Sequence, residues 1–252
     1  MRRGGGVAGV VHLAGPPSVA ASLDDPAGCA RAHVVGTATL LDALRRHAPH
    51  APLVYVSSAE VYGQPPCSPV GEACPCAPRS PYGAAKLGAE ALVRAAHRAW
   101  GIDARILRPF SVYGPGAHPA SLVSELLAQA VTPGVRALRL RDGRPVRDLC
   151  HVQDVAGAIL AALEAPLAEG VPTWNVGSGR GVAAGEIARI LAVLAGPDVG
   201  VEDGGAARPA GAEIHELVAD IMAIRRDLGW EPRIGREAGL AALLATARGG
   251  GA

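Results

Sequence analysis

The chain has a single lysine. Lys86 stands alone among 24 basic residues, and all the others are arginine. There is likewise one asparagine, Asn175, one phenylalanine, Phe110, and an aromatic content of only 3%. With 49% of its 252 residues apolar, the chain must build its core from Ala, Val, Leu and Ile. That length suits one large domain, or a domain with a small lobe. An excess of charge of either sign is also lacking. A formal net charge of +1 with no basic tract argues against nucleic acid or an anionic membrane surface as the main partner. No apolar run reaches the ~18 residues of a membrane span. Met1-Arg2-Arg3 leads into glycines rather than into the core of a signal peptide, so the expected compartment is the cytoplasm. The five cysteines (29, 67, 74, 76 and 150) form no C-x-x-C pair. Cys74-Pro75-Cys76 with Cys67 would open a metal loop, but no spaced pair completes it, and reduced thiols without a metal are expected.

What is present centres on Ser57-Ser58-Ala59-Glu60-Val61-Tyr62-Gly63 and Ser80-Pro81-Tyr82-Gly83-Ala84-Ala85-Lys86. The first follows Leu53-Val54-Tyr55-Val56, which reads as a short buried strand. The second opens a helix at Pro81, with apolar residues recurring at Leu87, Ala91, Leu92 and Ala95. Tyr82 and Lys86 stand one helical turn apart, so phenol and ammonium share a face. An adjacent cation is expected to lower the tyrosine pKa from near ~10, making Tyr82 a proton donor or acceptor near neutrality. An ammonium is a compact point charge where guanidinium is a wide fork, so a lone lysine at this spacing suggests a task arginine cannot perform. The bland reading is an exposed Tyr/Lys pair on an amphipathic helix.

The serines upstream change that balance. Together the residues resemble the Ser…Tyr-x-x-x-Lys set of the short-chain dehydrogenase/reductase superfamily, and within it the extended NAD-dependent sugar-nucleotide epimerases and dehydratases. The resemblance implies catalytic roles for Ser58, Tyr82 and Lys86. It implies cofactor contacts from Leu13, Ala14, Gly15, Ser57, Tyr82, Lys86 and Pro109. It further implies NAD as the cofactor, with NADP open because the discriminating segment is absent, and a nucleotide sugar as the substrate.

Further motifs follow in the family's order. Gly4 to Gly9 contains a formal G-x-G-x-x-G, but a strand follows it rather than a helix, so it is a decoy. The strand at Val7–Leu13 ends in His12-Leu13-Ala14-Gly15, and an amphipathic helix is predicted over residues 28 to 47. His33-Val34-Val35-Gly36-Thr37 resembles the family's Asn-Val-x-Gly-Thr with histidine for asparagine. Residues 64 to 81 form a Pro/Cys-rich loop containing Glu72. After the strand Ala104–Arg108, Pro109-Phe110-Ser111-Val112-Tyr113-Gly114-Pro115 resembles Arg-Pro-x-Asn-x-Tyr-Gly-Pro from its Pro onward, with Ser111 at a substrate-contacting asparagine. Arg147-Asp148-Leu149-Cys150-His151-Val152-Gln153-Asp154 resembles another family segment. Arg147 offers a planar fork for a diphosphate, with an ion pair to Asp148 or Asp154 as the alternative. Thr173-Trp174-Asn175-Val176-Gly177 reads as structural. Arg208 resembles a nucleotide-contacting arginine, although the aspartate expected after it is missing. Leu228-Gly229-Trp230-Glu231-Pro232 matches the closing motif, and helices are expected over 120 to 131, 184 to 195 and 237 to 248.

Alternating strands and helices predict an α/β fold. The resemblance makes it a Rossmann-like parallel sheet, N-terminally truncated, with a small C-terminal α/β substrate lobe. Residues 1–110 would form the partial dinucleotide-binding domain and 111–252 mainly the lobe, with segments around 145–180 returning to the sheet. The family's first strand, Gly-rich turn, first helix and next two strands have no counterpart here. The chain is therefore expected to be a fragment or misplaced start, to meet a second chain that supplies that half, or to be a degenerate homologue. The strand at Val7–Leu13 would then be an exposed edge favouring a homo-oligomer or other association. The functional expectation is a sugar-nucleotide epimerase or related ketoreductase. Dehydration is disfavoured, because Ala59-Glu60 stands where the family's dehydratases carry two acids. The reading from another class is a non-catalytic binding or scaffold protein that keeps the fold.

Overall fold

The computed structural model describes residues 7–167, 169–205 and 214–249. In chain order its strands are β1 (Val10–His12), β2 (Leu53–Val56), β3 (Ala104–Pro109), β4 (Ser111–Tyr113), β5 (Ala137–Leu140), β6 (Val146–His151), β7 (Thr173–Val176), β8 (Gly181–Ala183), β9 (Gly200–Asp203) and β10 (Glu216–Leu217). The helices are α1 (Val19–Asp24), α2 (Pro26–Ala30), α3 (Gly36–His47), α4 (Pro81–Trp100), α5 (Leu122–Ala130), α6 (Val152–Glu164), α7 (Ala184–Ala195), α8 (Met222–Leu228) and α9 (Arg236–Gly249).

The main sheet runs β1-β2-β3-β7, parallel throughout. β2 and β3 are buried along their whole length, as central strands covered on both faces must be. Their side chains alternate between two helical layers. Val54, Val56 and Leu107 pack with Val155, Ala158 and Ala162 of α6 on one face. Leu53, Tyr55 and Ile106 pack with Leu41 and Leu44 of α3 and Ala89 and Val93 of α4 on the other. This is the layered α/β arrangement that the alternation of elements predicts. In a second sheet, β6 lies between β4 and β10, with β8 antiparallel to it at one end. Its core joins Leu126 of α5, Ile187 and Leu191 of α7, and Leu240 and Leu244 of α9.

Two expected elements come out differently. The apolar run at Val7–Leu13 forms ladder only over β1, and Val7 and Leu13 stay 54% and 59% exposed. β1 pairs β2 and no other strand among the described residues. The helix expected over residues 28 to 47 runs without a gap from Pro26 to His47 and widens into a π-helical turn at Arg31–Val35. Such a turn is a common device at functional sites. Here it contains His33, which is buried.

At the chain's far end Gly229 takes the left-handed conformation that caps α8, at φ 60°. Trp230 then donates from Nε1 to the Asp154 carbonyl at 3.0 Å. The Asp154 carboxylate accepts from Arg233 N and Ile234 N, each at 3.0 Å, so the closing motif fastens the tail to the start of α6.

Candidate active site

In an open parallel sheet the ligand crevice lies beyond the carboxyl ends of the strands. Leu13 to Gly15 follow β1, Ser57 and Ser58 follow β2, and Pro109 ends β3, so the topology gathers these residues along one edge. The first turn of α4 reaches the same edge. Ser80 caps that helix, its Oγ accepting from Gly83 N at 3.1 Å, with Pro81 in the first turn. The Tyr82 amide is another of the donors a helix start leaves unpaired, and it donates to Ser22 Oγ of α1 at 3.1 Å. Gly83 is needed for close approach, since a Cβ there would stand 2.6 Å from the Glu60 carbonyl oxygen. That approach brings Tyr82 to Ser58. The serine caps the short 3-10 turn at Ala59–Tyr62, accepting from Glu60 N at 3.2 Å, and lies near enough to the Tyr82 phenol to pull its pKa down. Lys86 donates from Nζ to the Val56 carbonyl at 2.9 Å. Its ammonium lies 5.9 Å from the centre of the Tyr82 ring and 5.3 Å from that of Tyr55.

The expected lowering of the tyrosine is reversed. Burial dominates and pushes the Tyr82 phenol up to about 12, the Ser58 hydroxyl pulls it down, and the Glu60 and Cys29 charges add to the rise. Burial also lowers Lys86 to about 8, against the Cys29 and Glu90 charges, which raise it. The physical reason is direction. The ammonium bonds a backbone carbonyl and stands beside the aromatic ring, and it is the burial of the phenol that sets its pKa. Near neutral pH Tyr82 therefore keeps its proton.

The remaining candidate residues are placed unequally. Leu13 and Ala14 are exposed at the edge, and Gly15 is half-buried. Ser57 is 4% exposed and donates from Oγ to Glu90 Oε1 at 2.6 Å, so its hydroxyl faces the interior. Pro109 is buried and in register with Val176. Ser111 is in register with Leu149, which sets it on the same face as Arg147 of the neighbouring strand. Arg147 donates from Nη1 to the Val146 carbonyl at 3.0 Å. Of the two carboxylates considered for it, Asp154 binds the tail amides, and Asp148 accepts from Ser178 N at 2.6 Å, Ser178 Oγ at 2.5 Å, Gly179 N at 2.9 Å and Ala219 N at 3.1 Å. Arg208 lies outside the described residues. Asn175 is structural, accepting from Tyr62 OH at 2.7 Å and donating to the Val70 carbonyl at 2.9 Å.

Sequence reasoning missed Ser22, Glu90 and Arg108. Glu90 carried a readable signal, since it continues the helical face of Tyr82 and Lys86 by one more turn. Ser22 carried none, because its contact joins residues far apart in the chain. Among the described residues no cluster of His, Cys, Asp and Glu could hold a metal, and no helix is long and apolar enough to cross a membrane.

A parallel α/β sheet with serine, tyrosine and lysine at its carboxyl edge is the arrangement of the short-chain dehydrogenase/reductase class of enzymes. Within that class, the chain belongs to the NAD dependent epimerase/dehydratase family, whose family model matches residues 4–177. It is 35% identical over 240 residues to dTDP-glucose 4,6-dehydratase of Streptomyces griseus, covering 94% of this chain and 70% of that one. It is 33% identical over 241 residues to UDP-glucose 4-epimerase of Corynebacterium glutamicum, covering 90% and 72%. Among solved structures it is similar to RMD from Pseudomonas aeruginosa complexed with NADPH, with a TM-score of 0.88 at 28% identity over 96% of this chain and 82% of that one. Structures of this kind thus hold NAD or NADPH.

Proposed function

We propose that the chain is an NAD-dependent sugar-nucleotide epimerase, or a related ketoreductase, working through Ser58, Tyr82 and Lys86. The observation that carries this reading is the convergence of Ser58, Tyr82 and Lys86 at the sheet's carboxyl edge, with the Lys86 ammonium 5.9 Å from the centre of the Tyr82 ring. A phenol, an ammonium and a serine hydroxyl are the groups a nicotinamide ribose and a sugar hydroxyl need, so the residues fit that side of a dinucleotide. When bound, NAD or NADP supplies the hydride acceptor and donor. The chain's own part is proton chemistry. In the oxidising half the Tyr82 oxygen, as phenolate, takes the proton of the sugar hydroxyl, and in the reducing half the phenol so formed returns that proton to the ketone oxygen. Ser58 hydrogen-bonds the reacting oxygen and orients it. Lys86, with a pKa of about 8, is charged at neutral pH and stabilises any phenolate formed beside it. Arg147, Ser111 and Arg208 are the proposed contacts for the nucleotide diphosphate, Leu13 to Gly15 and Pro109 for the cofactor.

The similarity to a 4,6-dehydratase raises elimination as a competing outcome. Ala59, at the first of the two acid positions, is buried and cannot give a proton, which favours epimerisation. Incubation with UDP-glucose or dTDP-glucose and NAD, followed by proton NMR, tests the choice. A C4 epimer or a 4-keto sugar that retains its C6 hydroxyl is expected. A 4-keto-6-deoxy product would replace this reading with the dehydratase one.

A further inference from the structure

A buried chain of hydrogen bonds begins at the residue before Ser58 and ends beside Arg147. Ser57 donates to Glu90, which is 1% exposed on α4. Arg108, 4% exposed at the end of β3, closes on that carboxylate with Nε to Oε1 at 2.9 Å and Nη2 to Oε2 at 2.7 Å. Its Nη1 donates to Tyr62 OH at 2.9 Å, and Tyr62 donates on to Asn175. Asn175 holds the Val70 carbonyl, and Val70 pairs with the segment around Ala219, whose amide reaches Asp148.

Two geometric facts give the first links a purpose. Ser57 and Ser58 are consecutive in extended backbone, with Ser58 at φ −161° and ψ 151°, so their side chains leave on opposite sides. Anchoring the Ser57 hydroxyl inward therefore fixes the outward direction of Ser58. Glu90 also shares its helical face with Tyr82, so one carboxylate ties the tyrosine's helix to the serine's strand end. An anion accepting charge-assisted bonds from a bidentate guanidinium is among the stiffest ties available to side chains.

We propose that Ser57, Glu90 and Arg108 are positioning residues that set the Ser58 hydroxyl against the Tyr82 phenol; this deepens the proposed function, from which it takes the roles of Ser58 and Tyr82. The test uses the full chain with 13Cζ-labelled tyrosine. It contains four tyrosines, and the Tyr82 line is identified by its loss in Tyr82→Phe. Ser57→Ala and Glu90→Gln are each expected to shift the Tyr82 line at neutral pH and leave that of Tyr113 in place, while Ser57→Thr restores the original position. Should the thermal midpoint fall while the Tyr82 line stays put in both folded variants, the network is packing alone and the proposal is overturned. If Glu90→Gln does not fold, Ser57→Ala decides, because it leaves the buried ion pair intact. The readout needs neither cofactor nor turnover, so failure of the enzymatic reading would not be mistaken for failure of this one.

Discussion

The imidazole of His33 stands edge-on to the phenol ring of Tyr82, with ring centres 5.4 Å apart and planes at 78°. Its Nε2 lies 3.2 Å from the Pro16 carbonyl, which can only accept, so Nε2 carries the hydrogen and Nδ1 is bare. The ring also packs against Gly15, where φ of 124° and lack of room both call for glycine. One histidine thus spans the turn after β1 and the tyrosine of α4.

This placement makes stability fall in acid. Burial lowers the His33 pKa, the Lys86 charge lowers it further, and the Pro16 bond only partly opposes them. His12 and Lys86 are the other basic groups facing this cluster, and His12 is lowered in the same way. As pH drops below about 6.5, the unfolded chain binds a proton that folded His33 refuses, so the unfolded state gains. Between pH 7 and 5 the denaturation midpoint of His33→Asn should decline less than that of the parent. Equal declines would mean that His33 is not held neutral.

Lys86 produces an effect of the same sign at higher pH. Its folded pKa of about 8 lies below the ordinary 10.5, so between those values the unfolded chain binds the extra proton. Stability attributable to Lys86 therefore rises as pH climbs through that window, by an amount on the order of 1–3 kcal/mol. Buried cysteines and tyrosines titrate nearby, so the comparison is with Lys86→Met in urea at pH 7.5 and 9.5. The parent should gain on the variant across that interval. A constant difference would show that the ammonium is not desolvated as the geometry implies.

Much of this architecture was legible because it rests on local signals. Leu53–Val56 is apolar without interruption and is a buried central strand. Ser80 and Pro81 start α4, and α7 spans residues 184–195 as the periodicity predicts. The pKa of Tyr82 was not legible, because spacing along a helix gives proximity to a charge but not the depth of the apolar cover. Nor was the role of Ser57 readable. A serine at a strand end looks the same whether its hydroxyl faces a ligand or a carboxylate brought in from α4.

Glu90 should be costly to remove. The Glu90–Arg108 pair is buried, and Glu90→Ala would leave a guanidinium without its counter-charge, at about 3–5 kcal/mol. Glu90→Ala with Arg108→Met should recover part of that loss in a double-mutant cycle. Strict additivity in urea denaturation would mean that the two side chains do not interact.

Among the described residues the outer side of β1 has no partner strand, and association there is a prediction. Unpaired strand edges flanked by exposed Val7 and Leu13 recruit other strands. The chain should run larger than a monomer in sizing with light scattering, and Val7→Lys should reduce that mass. A monomer at every concentration would contradict the expectation.

The proton role of Tyr82 is tested most directly by turnover. Under the proposed reading, Tyr82 exchanges a proton with a nucleotide sugar bound beside NAD. The measurement is therefore conversion of UDP- or dTDP-hexose at several millimolar NAD by the parent and by Tyr82→Phe, which keeps the ring against His33 and removes only the hydroxyl. The account predicts measurable conversion by the parent and a loss of roughly 10²- to 10⁴-fold in the variant. Equal rates from the two proteins, or none from the parent, would contradict it.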